Sequence, residues 1–271
     1  MVEMLKETVS PMMLMGGMAI VFAIGLGIAA RVFYVYVDPK ITEVEEVLAG
    51  ANCGGCGFAG CSDCATAIVE GRAPVDACKP GGIACATAVA QIMGVAVEEK
   101  EREVARIMCK GAIGKAVRRF KYMGISDCRA AELALGGDKA CSYGCLGLGT
   151  CVKNCPFGAL SMGEDGLPVV DDKLCTACGT CVRVCPRHIP KLMPISQKVA
   201  TPCSSHDMPK AMKAVCEVGC TGCGLCKKAC PENAVTIDKF LSVVDPVKCN
   251  GCGACFEKCP TGIIQHMVFN V

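Results

Sequence analysis

Apolar and polar positions alternate in three different ways along the chain. From Pro11 to Ala30, twenty residues run without a charge (PMMLMGGMAIVFAIGLGIAA), and after Arg31 the sequence stays apolar through Val37. At 1.5 Å per residue, about 20 apolar residues span the hydrocarbon layer, so the pattern predicts one transmembrane helix. Glycines 16, 17, 25 and 27 suit close approach of a neighbouring helix. Glu3, Lys6 and Glu7 precede an apolar run too long for a cleaved signal peptide, and a buried helix of a soluble core is normally shorter. The segment therefore reads as a permanent anchor. Lys6 before it, against Arg31 and Lys40 after it, slightly favours a cytoplasmic C-terminal side.

Beyond the anchor the periods are short. Thr42 and Glu45 stand in the capping-box arrangement, and Gly50 follows the last turn of the short helix they predict. The alanine-rich stretches SDCATAIVEG and IACATAVAQIMG read as helices, with Cys64 and Cys85 as buried structural thiols. Residues 98–138 mix charges without a clear period and read as a connector. ALSMGEDGLPVVDDKL then gives two short extended segments around a turn at Gly163 to Gly166, a hairpin.

Composition changes this picture in one respect. The chain of 271 residues has room for two or three small domains. Its 52% apolar content overstates the core it can build, because 26 residues are cysteine and the large aromatics are 8 Phe and 4 Tyr, with no Trp. Bound metal must then supply folding free energy directly, and the metal-free chain is expected to be largely unfolded beyond its anchor.

The cysteines carry the chemistry. Cys220, Cys223, Cys226 and Cys230-Pro231 form the Cys-x2-Cys-x2-Cys-x3-Cys-Pro ligand run of a bacterial ferredoxin cluster. The run recurs as Cys249, Cys252, Cys255, Cys259-Pro260 and as Cys175, Cys178, Cys181, Cys185-Pro186. A looser copy, Cys141, Cys145, Cys151, Cys155-Pro156, precedes them, with its extra residues in a glycine-containing loop. Four runs make two ferredoxin pairs, since in each pair the fourth cysteine of one run completes the cluster of the other. Cys145, Cys151 and Cys155 each lie 75 residues before Cys220, Cys226 and Cys230, and the four cysteines of the 175–185 run each lie 74 before those of the 249–259 run. One two-cluster module has been duplicated. A secreted disulfide scaffold does not produce such runs, and zinc sites usually use two Cys-x-x-Cys halves joined by a longer loop. The thiols therefore belong in a reducing compartment.

A different spacing, Cys53, Cys56, Cys61 and Cys78, lies in NCGGCGFAGC and CKPGG. Its glycines let backbone amides turn toward sulfur. It resembles the small iron-sulfur domain of the B subunits of Rnf complexes and of some corrinoid proteins, which makes it the site of one more 4Fe-4S cluster. Cys203 and Cys216 read as structural. Cys109 and Cys128 stay open between ligands of a further cluster, a redox-active pair and structural thiols. His188, His206 and His266 have no companion at ligand spacing. No nucleophile elbow, phosphate loop or dinucleotide fingerprint is present, so a nicotinamide or flavin must be handled by another subunit. The formal charge of +2 falls to about −8 once five oxidised cubanes of about −2 each are counted, and no basic run interleaved with aromatics points to nucleic acid.

The anchor, the NCGGCGFAGC to CKPGG domain, CSYGCLGLGTCVKNCPFGAL and a terminal ferredoxin pair, in that order, resemble the B subunit of the Rnf ion-translocating ferredoxin:NAD oxidoreductase over nearly the whole chain. The resemblance implies an α+β chain: anchor 1–37, small Fe-S domain 38–97, connector 98–138, and tandem two-cluster ferredoxin-like domains at 139–195 and 196–271. It implies five 4Fe-4S clusters. Cys53, Cys56, Cys61 and Cys78 hold the one nearest the membrane; Cys141, Cys145 and Cys151 share one with Cys185, and Cys175, Cys178 and Cys181 one with Cys155. In the last pair Cys220, Cys223 and Cys226 join Cys259, while Cys249, Cys252 and Cys255 join Cys230. It also implies a cytoplasmic-face relay with no complete active site of its own, taking electrons from soluble reduced ferredoxin and feeding membrane and peripheral partner subunits. Onward transfer to NAD would be coupled to sodium or proton export. The same wire could serve another membrane reductase, such as one that keeps a redox-sensing transcription factor reduced.

Overall fold

The computed structural model describes residues 2–33, 36–97 and 101–267, with side chains from Met13 onward. The side chains of Glu3, Lys6 and Glu7, used in the anchor reading and, for Lys6, in the orientation reading, lie outside the described residues. Helix α1 (Val2–Val32) contains a stretch, Met13–Val32, long and apolar enough to cross a membrane. Leu14, Val21, Phe22 and Leu26 are exposed along it, because none of the other described elements packs on this face. An apolar surface of that length needs lipid or partner helices around it.

Helix α2 (Pro39–Val47) starts earlier than the Thr42–Glu45 pair predicts. The Asp38 side chain accepts a 2.9 Å hydrogen bond from the Lys40 amide and Pro39 opens the first turn, so the Asp-Pro pair sets the start and Thr42 falls inside the helix. With α3 (Cys61–Val69) and α4 (Gly82–Met93), α2 closes a small core on Val44, Ile68 and Val89.

Next comes β1 (Glu103–Ile107), a strand inside the stretch that looked featureless. After α5 (Cys128–Leu133), the chain forms α6 (Thr150–Lys153), the hairpin β2 (Leu160–Met162) and β3 (Pro168–Val170), α7 (Thr180–Val184) and β4 (Pro190–Pro194). Strands β1 and β4 pair antiparallel from Glu103↔Pro194 to Ile107↔Pro190, and β2 pairs with β3 as the hairpin reading expects. Strand β1 is therefore the first strand of the first ferredoxin-like domain, separated from that domain's cysteine runs by residues 108–140.

The second domain repeats the plan. After β5 (Val199–Ala200) and α8 (Pro209–Val215) come α9 (Leu225–Ala229), the hairpin β6 (Val235–Asp238) and β7 (Leu241–Val244), α10 (Ala254–Glu257) and β8 (Gln265–His266). Strand β5 pairs with β8 and β6 with β7. In both domains each one-turn helix of a cysteine run is entered through a left-handed glycine: Gly149 (φ 72°), Gly179 (75°), Gly224 (73°) and Gly253 (82°). Only glycine takes this conformation without steric cost, and it swings the middle cysteines inward.

The two domains are sewn together by their insertions. Residues 115–119 run between them, with bridges at Ala116 and Arg118: Ala140 N donates to Val117 O at 2.8 Å and Arg119 N to Asp138 O at 2.7 Å on one side. On the other, Val117 N donates to Val215 O and Glu217 N to Lys115 O, both at 2.9 Å.

Candidate metal centres

The cysteines collect in groups of four around hollows of similar size. Cys53, Cys56, Cys61 and Cys78 surround about 310 Å³ in the small domain, with Cys64 against the same hollow. In the second ferredoxin-like domain, Cys220, Cys223, Cys226 and Cys259 surround about 300 Å³, and Cys230, Cys249, Cys252 and Cys255 about 310 Å³. These are the sets that the crossed pairing expects. In the first domain Cys155, Cys175 and Cys181 share one apolar cluster, and Cys178 lies within electrostatic range of Cys181.

The looser run departs from expectation. Cys145, Cys151 and Cys185 surround a hollow of about 400 Å³ whose fourth sulfur is Cys128, not Cys141. The position equivalent to Cys223 in this run is Leu148, so the run lacks one ligand, and α5 brings Cys128 in to replace it. The Asp127 side chain caps that helix, and the Cys128 amide donates to Thr150 Oγ1 at 2.6 Å, which ties α5 to α6. Cys141 instead faces a separate hollow of about 350 Å³ at the domain junction, together with Cys109, Cys203 and Cys216.

Backbone amides converge on the sulfurs. Gly55 N reaches Cys53 Sγ at 3.4 Å, Ala105 N reaches Cys175 Sγ at 3.4 Å, Ile189 N reaches Cys185 Sγ at 3.4 Å and Ala234 N reaches Cys230 Sγ at 3.3 Å. Ser242 serves two sulfurs, its amide on Cys220 at 3.4 Å and its hydroxyl 3.4 Å from Cys226. Such donors favour the anionic thiolate and tune a bound cluster. Burial works the other way in the metal-free protein: it pushes the Cys181 and Cys145 thiols up to about 12, aided by Cys175 and Cys178 at the first and by Cys109 at the second. Metal binding must replace those protons. Among the described residues no three His, Cys, Asp or Glu side chains are placed to hold a single metal ion, whereas four sulfurs spread around a hollow fit a multi-iron cubane. Buried hydroxyls without a partner among the described residues, Thr176 beside Cys175 and Thr201 two residues before Cys203, mark the same regions.

Cys64 and Cys85 pack into the small domain's core, and burial raises their thiols to about 12 and about 11. Their neighbours Cys56 and Cys78 push in the same direction.

Comparison with known proteins matches residues 48–80 to an Fe-S cluster family, and residues 140–189 and 219–263 to 4Fe-4S dicluster domain families. The B subunit of the Na(+)-translocating ferredoxin:NAD(+) oxidoreductase complex of Acetobacterium woodii is 47% identical over 242 residues, covering 89% of this chain and 73% of that protein. The B subunit of the ion-translocating oxidoreductase complex of Methanosarcina acetivorans is 45% identical over 83% of this chain and 86% of its own length. The B subunit of the proton-translocating ferredoxin:NAD(+) oxidoreductase complex of Clostridium ljungdahlii is 45% identical over 83% of this chain and 80% of that protein. This chain belongs to the family of Rnf-type B subunits. As such it is an electron-relay component of an ion-translocating oxidoreductase complex, built from an apolar N-terminal helix, an Fe-S domain and two 4Fe-4S dicluster domains.

In this Rnf-type chain Cys109, Cys128, Cys203 and Cys216 all fall outside the matched segments. The sequence alone reads Cys203 and Cys216 as structural and leaves Cys109 and Cys128 open between ligands of a further cluster, a redox-active pair and structural thiols; the structure places Cys109 and Cys128 in different groups. A signal was present for one of them: Cys216 follows Cys141 by 75 residues, the same interval that separates Cys145 from Cys220. For Cys128 the only signal was the missing cysteine at position 148.

Proposed function

We propose that this subunit takes electrons one at a time from soluble reduced ferredoxin and passes them toward the membrane, to partner subunits that reduce NAD with coupled sodium or proton translocation. The observation that carries the reading is the order of the cysteine groups. Cys223 and Cys252, in the second ferredoxin-like domain, are exposed to solvent. At the other end the small domain, joined to α1, meets the first ferredoxin-like domain directly: Arg183 donates to Gly55 O at 3.3 Å and to Cys178 O at 3.4 Å. Between these ends the groups follow one another through the chain.

Bound 4Fe-4S clusters would supply reversible one-electron chemistry at each group. The chain's own residues do the rest. Cys53, Cys56, Cys61 and Cys78 hold the group beside the anchor; Cys155, Cys175, Cys178 and Cys181 hold the next. Cys145, Cys151 and Cys185 hold the third, joined by Cys128. Cys220, Cys223, Cys226 and Cys259, then Cys230, Cys249, Cys252 and Cys255, form the terminal pair. Arg102 steadies the loop to Cys175 by donating to Asp172 O at 2.6 Å and Cys175 O at 3.1 Å, and Arg106 forks onto Asp172. Lys227, Lys228, Lys239 and Lys248 of the same domain are exposed and offer positive charge to an acidic carrier. A cytoplasmic-face location for these domains is supported by the reducing compartment that thiols need. The names of the relatives give sodium for one and protons for another at nearly equal identity, which is why the reading carries either ion.

The test is reduced-ferredoxin-dependent NAD reduction by anaerobic membranes from cells with and without this chain. Loss on deletion and recovery with the wild-type gene, but not with Cys226→Ser, is expected. Undiminished activity would assign the relay to another membrane reductase, such as one serving a redox-sensing transcription factor.

A further inference from the structure

We infer that Arg183 is a positioning residue for electron transfer: its guanidinium clamps the small domain against the Cys178 loop, which makes the Gly55 peptide the bridge between the two cysteine groups. The inference rests on the relay reading of those groups. Arg183 stands on α7, two residues after Cys181, and its side chain folds back over the turn that enters the helix. One terminal nitrogen, Nη1, donates to Gly55 O at 3.3 Å and to Cys178 O at 3.4 Å, while the other, Nη2, donates to Thr180 Oγ1 at 3.1 Å. A planar guanidinium presents its donors in a fixed fork, so the bond to Thr180 aims the remaining nitrogen at both carbonyls. Among the described residues, this is where a hydrogen bond joins residues 38–97 to residues 101–267.

Gly55 is engaged at both ends. Its amide donates to Cys53 Sγ at 3.4 Å and its carbonyl accepts from Arg183. Its Cα lies so close to the next group that an added Cβ would stand 2.9 Å from Cys178 Cβ. A ligand sulfur of one group thus reaches the backbone of a ligand of the other through a single residue. On the far side, Cys178 Sγ donates to Thr180 Oγ1 at 3.4 Å in the metal-free protein. A hydroxyl both donates and accepts, so with Cys178 as a thiolate Thr180 turns its proton to the sulfur and keeps a lone pair for Arg183.

The duplicated module separates this role from one internal to a cysteine run. The run at 249–259 repeats the run at 175–185 at an interval of 74 residues, and in it Glu257 stands for Arg183 and Ala254 for Thr180. Cys252, the counterpart of Cys178, is exposed, whereas Cys178 is buried. The copy whose cysteine is open to solvent has neither the fork nor the hydroxyl, and the copy that meets the small domain has both. A side chain serving the run itself would be needed in both copies.

In the step this contact serves, one electron, supplied originally by a ferredoxin-class carrier, leaves the Cys178 group and arrives at the Cys53 group. No bond forms or breaks and no proton moves, so the rate depends on the separation and the bridge, which Arg183 sets.

The full chain, purified anaerobically in detergent and reconstituted with ferrous iron and sulfide, is compared with Arg183→Met, whose side chain has no donors. Arg183 is exposed, so iron content is expected to stay at the wild-type value. After mixing with reduced ferredoxin, freeze-quench EPR should show the small-domain signal, assigned by its change in Cys61→Ser, arriving about tenfold later than in wild type, with the other signals on time. In dithionite-reduced samples the magnetic broadening of that signal by its neighbour should weaken, which reports the separation directly. Arrival on time would overturn the proposal whatever the broadening. Late arrival with unchanged broadening would overturn it too, assigning Arg183 to charge alone. A wild type that dithionite reduces and ferredoxin does not would end the relay reading, yet the broadening would still test the clamp. Should Arg183→Met lose iron, the same two readings are taken on Arg183→Gln, too short to reach Gly55 O, and the same outcomes decide.

Discussion

Gly55, between Cys53 and Cys56, sits directly against Cys178 of the neighbouring cysteine group. A Cβ there would fall 2.9 Å from both Cys178 Cβ and Cys178 O, contacts that real side chains do not make. Gly55→Ala should therefore push the small domain off the Cys178 loop, at about 1–3 kcal/mol of packing strain. The expected result is unchanged iron content with several-fold slower reduction of the small-domain cluster in freeze-quench EPR. Lys139 makes a second prediction. Lys139→Met removes a cation that lies near Cys145, and a more negative reduced cluster loses its attraction. The midpoint potential at that group should fall by about 60 mV or less, the one-electron equivalent of roughly 1.4 kcal/mol, in an EPR-monitored titration. At this scale the sequence was most legible, because ligand spacing in a run is set by the geometry of the metal it binds. Cys220 to Cys230 can be read without any tertiary information. Cys109, Cys128 and Cys203 could not, since each reaches its group from a distant segment and carries no local spacing.

Elements tell a similar story. The β2–β3 hairpin and the helices carrying Cys64 and Cys85 are legible from turns and alanine, whereas the β6–β7 hairpin, which turns through Lys239 and Phe240 at positive φ, and β1 are not. The β1 sequence EVARI puts Arg106 among buried residues, and only the fork onto Asp172, 66 residues away, explains a guanidinium in that place. A buried ion pair erased the strand's alternation. Helix α5 was equally hidden, being six residues long and dependent on its cap. The Asp127 carboxylate is held down at about 2, chiefly by its side-chain hydrogen bonds with Arg129. Asp127→Ala should remove about 1 kcal/mol from this helix and loosen Cys128. Chelator challenge should then strip four irons sooner from the variant than from wild type, the rest leaving at the wild-type rate.

Across the whole molecule, the proposed relay takes electrons in at the end where Cys223 and Cys252 are exposed and passes them to a domain tethered to an apolar helix. Lys227→Glu with Lys228→Glu should raise the KM for reduced ferredoxin about tenfold at low ionic strength and much less at high salt, with iron content unchanged. Domain order and duplication were plain in the sequence because they are periodicities of the chain itself. The seam between the domains was not, since it is made of main-chain hydrogen bonds from residues 115–119 to both sides. The most direct test of the relay is stopped-flow mixing of the purified, reconstituted full chain with reduced ferredoxin, following the loss of iron-sulfur absorbance. Rapid bleaching of the whole dithionite-reducible absorbance is the expected result, slowed in the Lys227/Lys228 variant. Clusters that dithionite reduces but ferredoxin leaves oxidised would contradict the account.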